Sequence, residues 1–98
     1  MYFLCRLIPP RPSFVMDMTP AEKEAMSRHA AYLKGQLDNG KVVAFGPVMD
    51  PKGPWGVALA VVQDQAELDA LLKNDPAILA NMGMRYESYP MANLVTKP

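Results

Sequence analysis

The stretch Gly56-Val57-Ala58-Leu59-Ala60-Val61-Val62 is an unbroken run of small and branched apolar residues. A strand with one wet face alternates apolar with polar residues. This one does not, so it reads as a strand covered on both faces. Just before it, Asp50-Pro51-Lys52-Gly53 has the composition of a turn. Lys41 to Met49, with Val42, Val43, Phe45 and Val48, reads as the strand leading into that turn. Just after it, Asp64-Gln65-Ala66-Glu67 opens a helix with an acidic cap and a glutamate three residues on. Leu68, Leu71 and Leu72 form the buried stripe of that helix.

Farther out, Tyr2 to Ile8 is rich in strand formers and stops at Pro9-Pro10. Pro9 to Met18 holds three prolines and is expected to be an irregular loop. Thr19-Pro20-Ala21-Glu22 then starts a long helix. Threonine caps it, proline takes the first helical position, and Glu22 reaches back to close a capping box. Glu24 stands four residues before Arg28, a stabilising spacing, and Asp38-Asn39-Gly40 supplies a left-handed exit. Asp75-Pro76 ends the second long helix and starts a short one through Leu79, and Met84 to Tyr89 is the last strand. The order is βαββαβ. That is an α+β, ferredoxin-like arrangement with a four-stranded antiparallel sheet, expected to fill one domain over residues 1–98.

Two helices cover only one face of such a sheet. The unbroken apolar strand and its neighbour at 41–49 put hydrocarbon on the other face as well, an apolar patch of several hundred Å². A second copy packed sheet to sheet is the economical cover, so a homodimer is expected, open to higher assembly. The alternative is a monomer with a modestly apolar face.

Composition narrows the functions. Ten basic and ten acidic residues give a formal net charge of zero, with no basic excess for a nucleic-acid footprint. No apolar run approaches the roughly 20 residues that span a bilayer, and the N-terminus lacks the parts of a signal peptide. A cytoplasmic protein without membrane partners is expected. Cys5 and His29 are the single cysteine and histidine. They leave no disulfide and too few soft ligands for a structural zinc, so no metal or cofactor is expected.

The chemistry must come from a short list. On a helix, Ala25, Met26, Tyr32 and Leu33 surround His29, which places its ring at the centre of the apolar face. A core histidine bonded to a carbonyl has that position, and so does a general base, since imidazole titrates near neutrality unaided. Asp75 caps the helix at Pro76 and has a second oxygen free for an imidazole; Asp50, in its turn, is the other carboxylate that can partner His29. Arg6 sits mid-strand on the face of Tyr2, Leu4 and Ile8, where it needs a counter-charge, a substrate carboxylate or a dimer partner. At Gly46-Pro47 the missing side chain allows a ligand to approach the backbone. Met82 and Met84 are placed to edge a pocket.

His29-Ala30-Ala31-Tyr32-Leu33, Leu37, Gly40, Gly46-Pro47, Asp50, Gly53, Glu67, Leu72, Asp75-Pro76 and Gly83, in this order, resemble the YciI-like (YCII-related) family over nearly the whole chain. The resemblance implies a dimeric α+β barrel, in which ferredoxin-like protomers pack sheet to sheet. It also implies an active-site pair of histidine and aspartate, mapped onto His29 and Asp75. Relatives of this type include a dehydrochlorinase of a chlorinated hydroxylated ring, muconolactone isomerases and small monooxygenases. The chain departs from the family at Tyr89-Pro90-Met91, where an aromatic often follows the proline, and in its proline-rich loop at 9–18.

The expected function is therefore cofactor-independent proton transfer, an elimination or isomerisation of a small cyclic or aromatic acid. His29 and Asp75 are the catalytic pair, and Arg6, Tyr32, Gly46, Pro47 and Asp50 the substrate contacts. The alternatives are a non-catalytic ligand-binding or accessory module, and a haem- or quinol-handling relative of the monooxygenase barrels.

Overall fold

The computed structural model describes all 98 residues. Its strands are β1 (Tyr2–Ile8), β2 (Val42–Val48), β3 (Trp55–Val61) and β4 (Arg85–Met91). Its helices are α1 (Phe14–Asp17), α2 (Pro20–Asp38), α3 (Gln65–Lys73) and α4 (Pro76–Leu79). The four strands form one sheet in the order β2-β3-β1-β4, every pairing antiparallel. This is the ferredoxin-like α+β fold expected from the sequence.

Each element begins where its chemistry dictates. The Thr19 side chain accepts from the Glu22 N–H, and the Glu22 carboxylate accepts from the Thr19 N–H at 2.9 Å, which closes the capping box of α2. Arg28 donates to Glu24 at 2.7 Å. In the exit Asp38-Asn39-Gly40 it is Gly40 that turns left-handed, with φ at +79°, while Asn39 stays right-handed. Asp64 caps α3 through the Glu67 N–H, and Asp75 caps α4 through the Ala77 N–H.

The proline-rich loop holds more order than its composition suggests, because it contains α1. The Arg11 guanidinium grips both oxygens of Glu22, at 2.7 and 2.9 Å, and donates to Asp17 through Nε at 2.8 Å. Ser13 donates to Asp17 as well. Such bidentate, charge-assisted bonds are strong and directional. They fasten the segment to the first turn of α2 and press Phe14 into the interior, where it is 2% exposed. Burying such a ring contributes about 1.5–3 kcal/mol.

Alternation in β1 divides the sheet into two faces. Phe3, Cys5 and Leu7 point to the helices and join Val42, Ala58, Ala60, Val62, Leu33, Leu68 and Leu71 as buried residues. Burial pushes the Cys5 thiol up to about 11, so it stays protonated and unreactive. The opposite register presents Tyr2, Leu4, Arg6 and Ile8 of β1 beside Trp55, Val57, Leu59 and Val61 of β3. In this chain that face is half-exposed. The run at 56–62 is therefore covered by helices on one side alone. No helix is long and apolar enough to cross a membrane.

The Arg11 grip, followed by the Thr19 N–H, holds the Glu22 carboxyl down at about 2, below its ordinary 4.5. A carboxyl depressed in the folded state contributes stability that is present above the ordinary value and lost as pH falls from there towards 2. Thermal unfolding should show a melting temperature that declines below about pH 4.5. Glu22→Gln should lower it at neutral pH and make the acid decline shallower. An unchanged acid decline would contradict the assignment.

Candidate active site

His29 lies near the middle of α2, between the buried residues Ala25 and Leu33. Its side chain is 12% exposed, against 0% for Asp75, and the two meet. Imidazole Nδ1 is 2.9 Å from one Asp75 oxygen and 2.8 Å from the other. A carboxylate accepts, so Nδ1 carries the proton and donates, which leaves the lone pair of the neutral ring on Nε2. Nε2 has no hydrogen-bond partner in the chain, yet it is not among the sealed, unpartnered polar atoms. The free nitrogen therefore keeps an opening.

The same carboxylate accepts from the Ala77 N–H at 2.9 Å and from the Tyr86 hydroxyl at 2.5 Å. Three donors from three elements converge on its two oxygens. Burial, then the nearby Asp75 charge, pushes the Tyr86 phenol far above its usual range, so it remains a donor. Nearby, the Tyr32 hydroxyl donates to the Leu71 carbonyl at 2.6 Å and is raised for the same two reasons in the same order.

His29 opens onto a cavity of about 260 Å³ between α2 and the helix-facing side of the sheet. Met26, Ala30 and Leu33 form one wall with it, and Leu7, Phe45, Ala58, Met84 and Tyr86 rise from the sheet. Phe14, Val15 and Met18, from α1 and the residue after it, together with Pro9 and Pro54, border the remaining side. Gly56 also lines it, and its missing side chain leaves room beside Leu7. Such a site can take a proton at Nε2 and hold the ring in one orientation through Asp75. No three histidine, cysteine or carboxylate side chains come together in a metal-binding arrangement.

A model of the YCII-related domain matches residues 1–92. The chain belongs to the YCII-related family. No curated protein matches it. Among solved structures, it is similar to the 5-chloro-2-hydroxyhydroquinone dehydrochlorinase of Burkholderia phenoliruptrix, in complex with 2,5-dihydroxybenzoquinone. The TM-score is 0.68 and the identity 19%, over 93% of each chain. At that identity the likeness speaks for the shared fold.

In this YCII-related protein the candidates read from the sequence divide between the two faces of the sheet. His29, Asp75, Gly46 and Pro47 belong to the cavity or its support. Tyr32 packs against the core with its hydroxyl on Leu71, outside the cavity lining. Arg6 is on the other face. Its guanidinium stacks on the Trp55 ring at 4.4 Å and lies 3.5 Å from Glu87. Asp50 accepts from the Lys52 N–H and from Trp55 Nε1, bonds that hold its carboxyl below the usual range. The two sequence candidates Arg6 and Asp50 thus meet the same indole, and neither touches His29. Of the two carboxylates weighed as its partner, Asp75 makes the contact. Met84 lines the cavity and Met82 does not. The sequence reading missed Tyr86; the alternation Arg85-Tyr86-Glu87-Ser88 held the signal, since it turns Tyr86 and Ser88 to the helices.

Proposed function

We propose that this protein is a cytoplasmic, cofactor-independent enzyme that moves a proton on a small cyclic or aromatic molecule, in an elimination or an isomerisation. The observation that carries the reading is the oriented imidazole. Its Nδ1–H is fixed on a buried carboxylate while the ring borders a half-open cavity, with Nε2 unpartnered. His29 Nε2 takes a proton from an acidic C–H or O–H of the bound ring. Asp75 holds the imidazole in the required tautomer and balances the imidazolium that forms. Tyr86 and the Ala77 N–H keep Asp75 in place.

In an elimination, the electron pair of the broken C–H bond becomes the new double bond and a halide departs with its own bonding pair. In an isomerisation, His29 returns the proton at another carbon. General acid–base assistance of this kind is worth about 10²–10⁴ in rate, enough for a C–H activated by a carbonyl. The similar fold that handles a chlorinated hydroquinone supports the elimination. The one cysteine, a buried free thiol, suits a reducing compartment.

A second copy belongs to this reading. A protomer whose open sheet face presents Leu4, Val57, Leu59 and Val61 is completed by a partner laid on that face, as a homodimer. Equilibrium sedimentation at micromolar concentration should return twice the chain mass, and Leu59→Glu should return the single mass. A monomeric wild type would contradict it.

His29→Ala should retain a cooperative melt while its turnover on a panel of lactones and halogenated phenols drops by about 10²–10⁴. Equal turnover in both proteins would refute the role of His29. A large loss of stability, with activity in neither, would favour a binding module instead.

A further inference from the structure

The cavity also carries information about what enters it. Of the residues that line it, His29 and Tyr86 alone can ionise. Tyr86 spends its hydroxyl on Asp75, and His29 spends Nδ1 there too. One free polar side-chain atom remains, His29 Nε2.

No cation faces the space. Arg6, the anchor expected for a substrate carboxylate, is on the opposite face with Trp55 and Glu87. Arg11 is committed to Asp17 and Glu22. With Asp75 as carboxylate, the His29–Asp75 pair has a net charge of zero when the ring is protonated and of minus one when it is neutral. An anion entering this lining loses its hydration and gains no net positive charge in return.

The walls suit one kind of guest. The Met18, Met26 and Met84 thioethers, with the Phe14 and Phe45 rings, are polarizable surfaces that favour aromatic faces and edges. A dry cavity of about 150 Å³ already admits benzene, so the 260 Å³ here suits one substituted ring or a small fused pair.

We propose that the cavity selects an uncharged aromatic compound whose hydroxyl or acidic C–H meets His29 Nε2, and that it rejects carboxylates and phosphates. This rests on the reading of the His29 cavity as the substrate site, and it replaces the ring acid expected from the sequence with a neutral phenol-like ring.

The test uses wild-type protein labelled at its methionine methyl carbons, titrated near neutral pH. The probes are 4-methylphenol, 4-hydroxybenzamide and 4-hydroxybenzoate. They share ring and hydroxyl; the first two are uncharged there and the last is ionised. Met18, Met26, Met84 and the single imidazole report on the cavity, and Met16 and Met49, which are 86% and 71% exposed, serve as controls outside it.

The expected result is saturable movement of the cavity signals with 4-methylphenol, and binding at least about tenfold weaker for 4-hydroxybenzoate. The amide should fall nearer the phenol than the carboxylate. Binding of 4-hydroxybenzoate at the cavity signals as tight as that of 4-methylphenol would overturn the neutral-ligand inference and leave the site reading intact. If no probe moves those signals at millimolar concentration, the site reading itself fails and the inference falls with it.

Discussion

Three parts of the fold are joined through the carboxylate of Asp75. It receives the Ala77 N–H of α4, the imidazole of α2 and the phenol of β4. A carboxylate with no exposure is costly unless donors surround it, and here they do. Each donor comes from a different element, so the carboxylate sets where α2, α4 and β4 stand relative to one another. Removing one donor leaves buried charge less compensated, which links the stability of this corner to the geometry of the candidate site.

The two faces of the sheet are built differently. The helix side combines a packed core with a cavity at one end, walled by α1 and its neighbours. Arg11 holds that wall against the start of α2 from outside the cavity lining, so the charged network stabilises the segment without lending its charge to the interior. The open side gathers the remaining polar candidates around Trp55, among half-exposed valines and leucines. The candidate site and the open apolar face are thereby built from different residues around the same sheet.

Most of the fold was legible in the sequence because local signals agreed with it. The Thr19/Glu22 capping box, the Asp64 and Asp75 caps and the apolar run at 56–62 each state one element's boundary or partner. The short helix α1 was not legible, since Ser13 makes no side-chain cap; its order comes from Arg11, whose partner Glu22 lies eleven residues away. His29 was legible as an inward-facing residue from helical spacing. Its pairing with Asp75 spans 46 residues and was supplied by family resemblance. Arg6 was correctly placed on the face of Tyr2 and Leu4, but which face holds the cavity depends on how the helices cross the sheet. Tyr86 lay within the alternation of β4, and which face that alternation gave it followed from β4 lying beside β1.

The geometry of the candidate site turns on a single proton, the one on Nδ1 of the lone imidazole. With one histidine in the chain, a two-bond ¹H–¹⁵N spectrum of uniformly labelled protein reads it without assignment. At a pH where the ring is neutral, the expected spectrum has a protonated nitrogen at Nδ1 and an unprotonated, basic nitrogen at Nε2. A spectrum with the proton on Nε2, or with both nitrogens averaged as in a free imidazole, would contradict it.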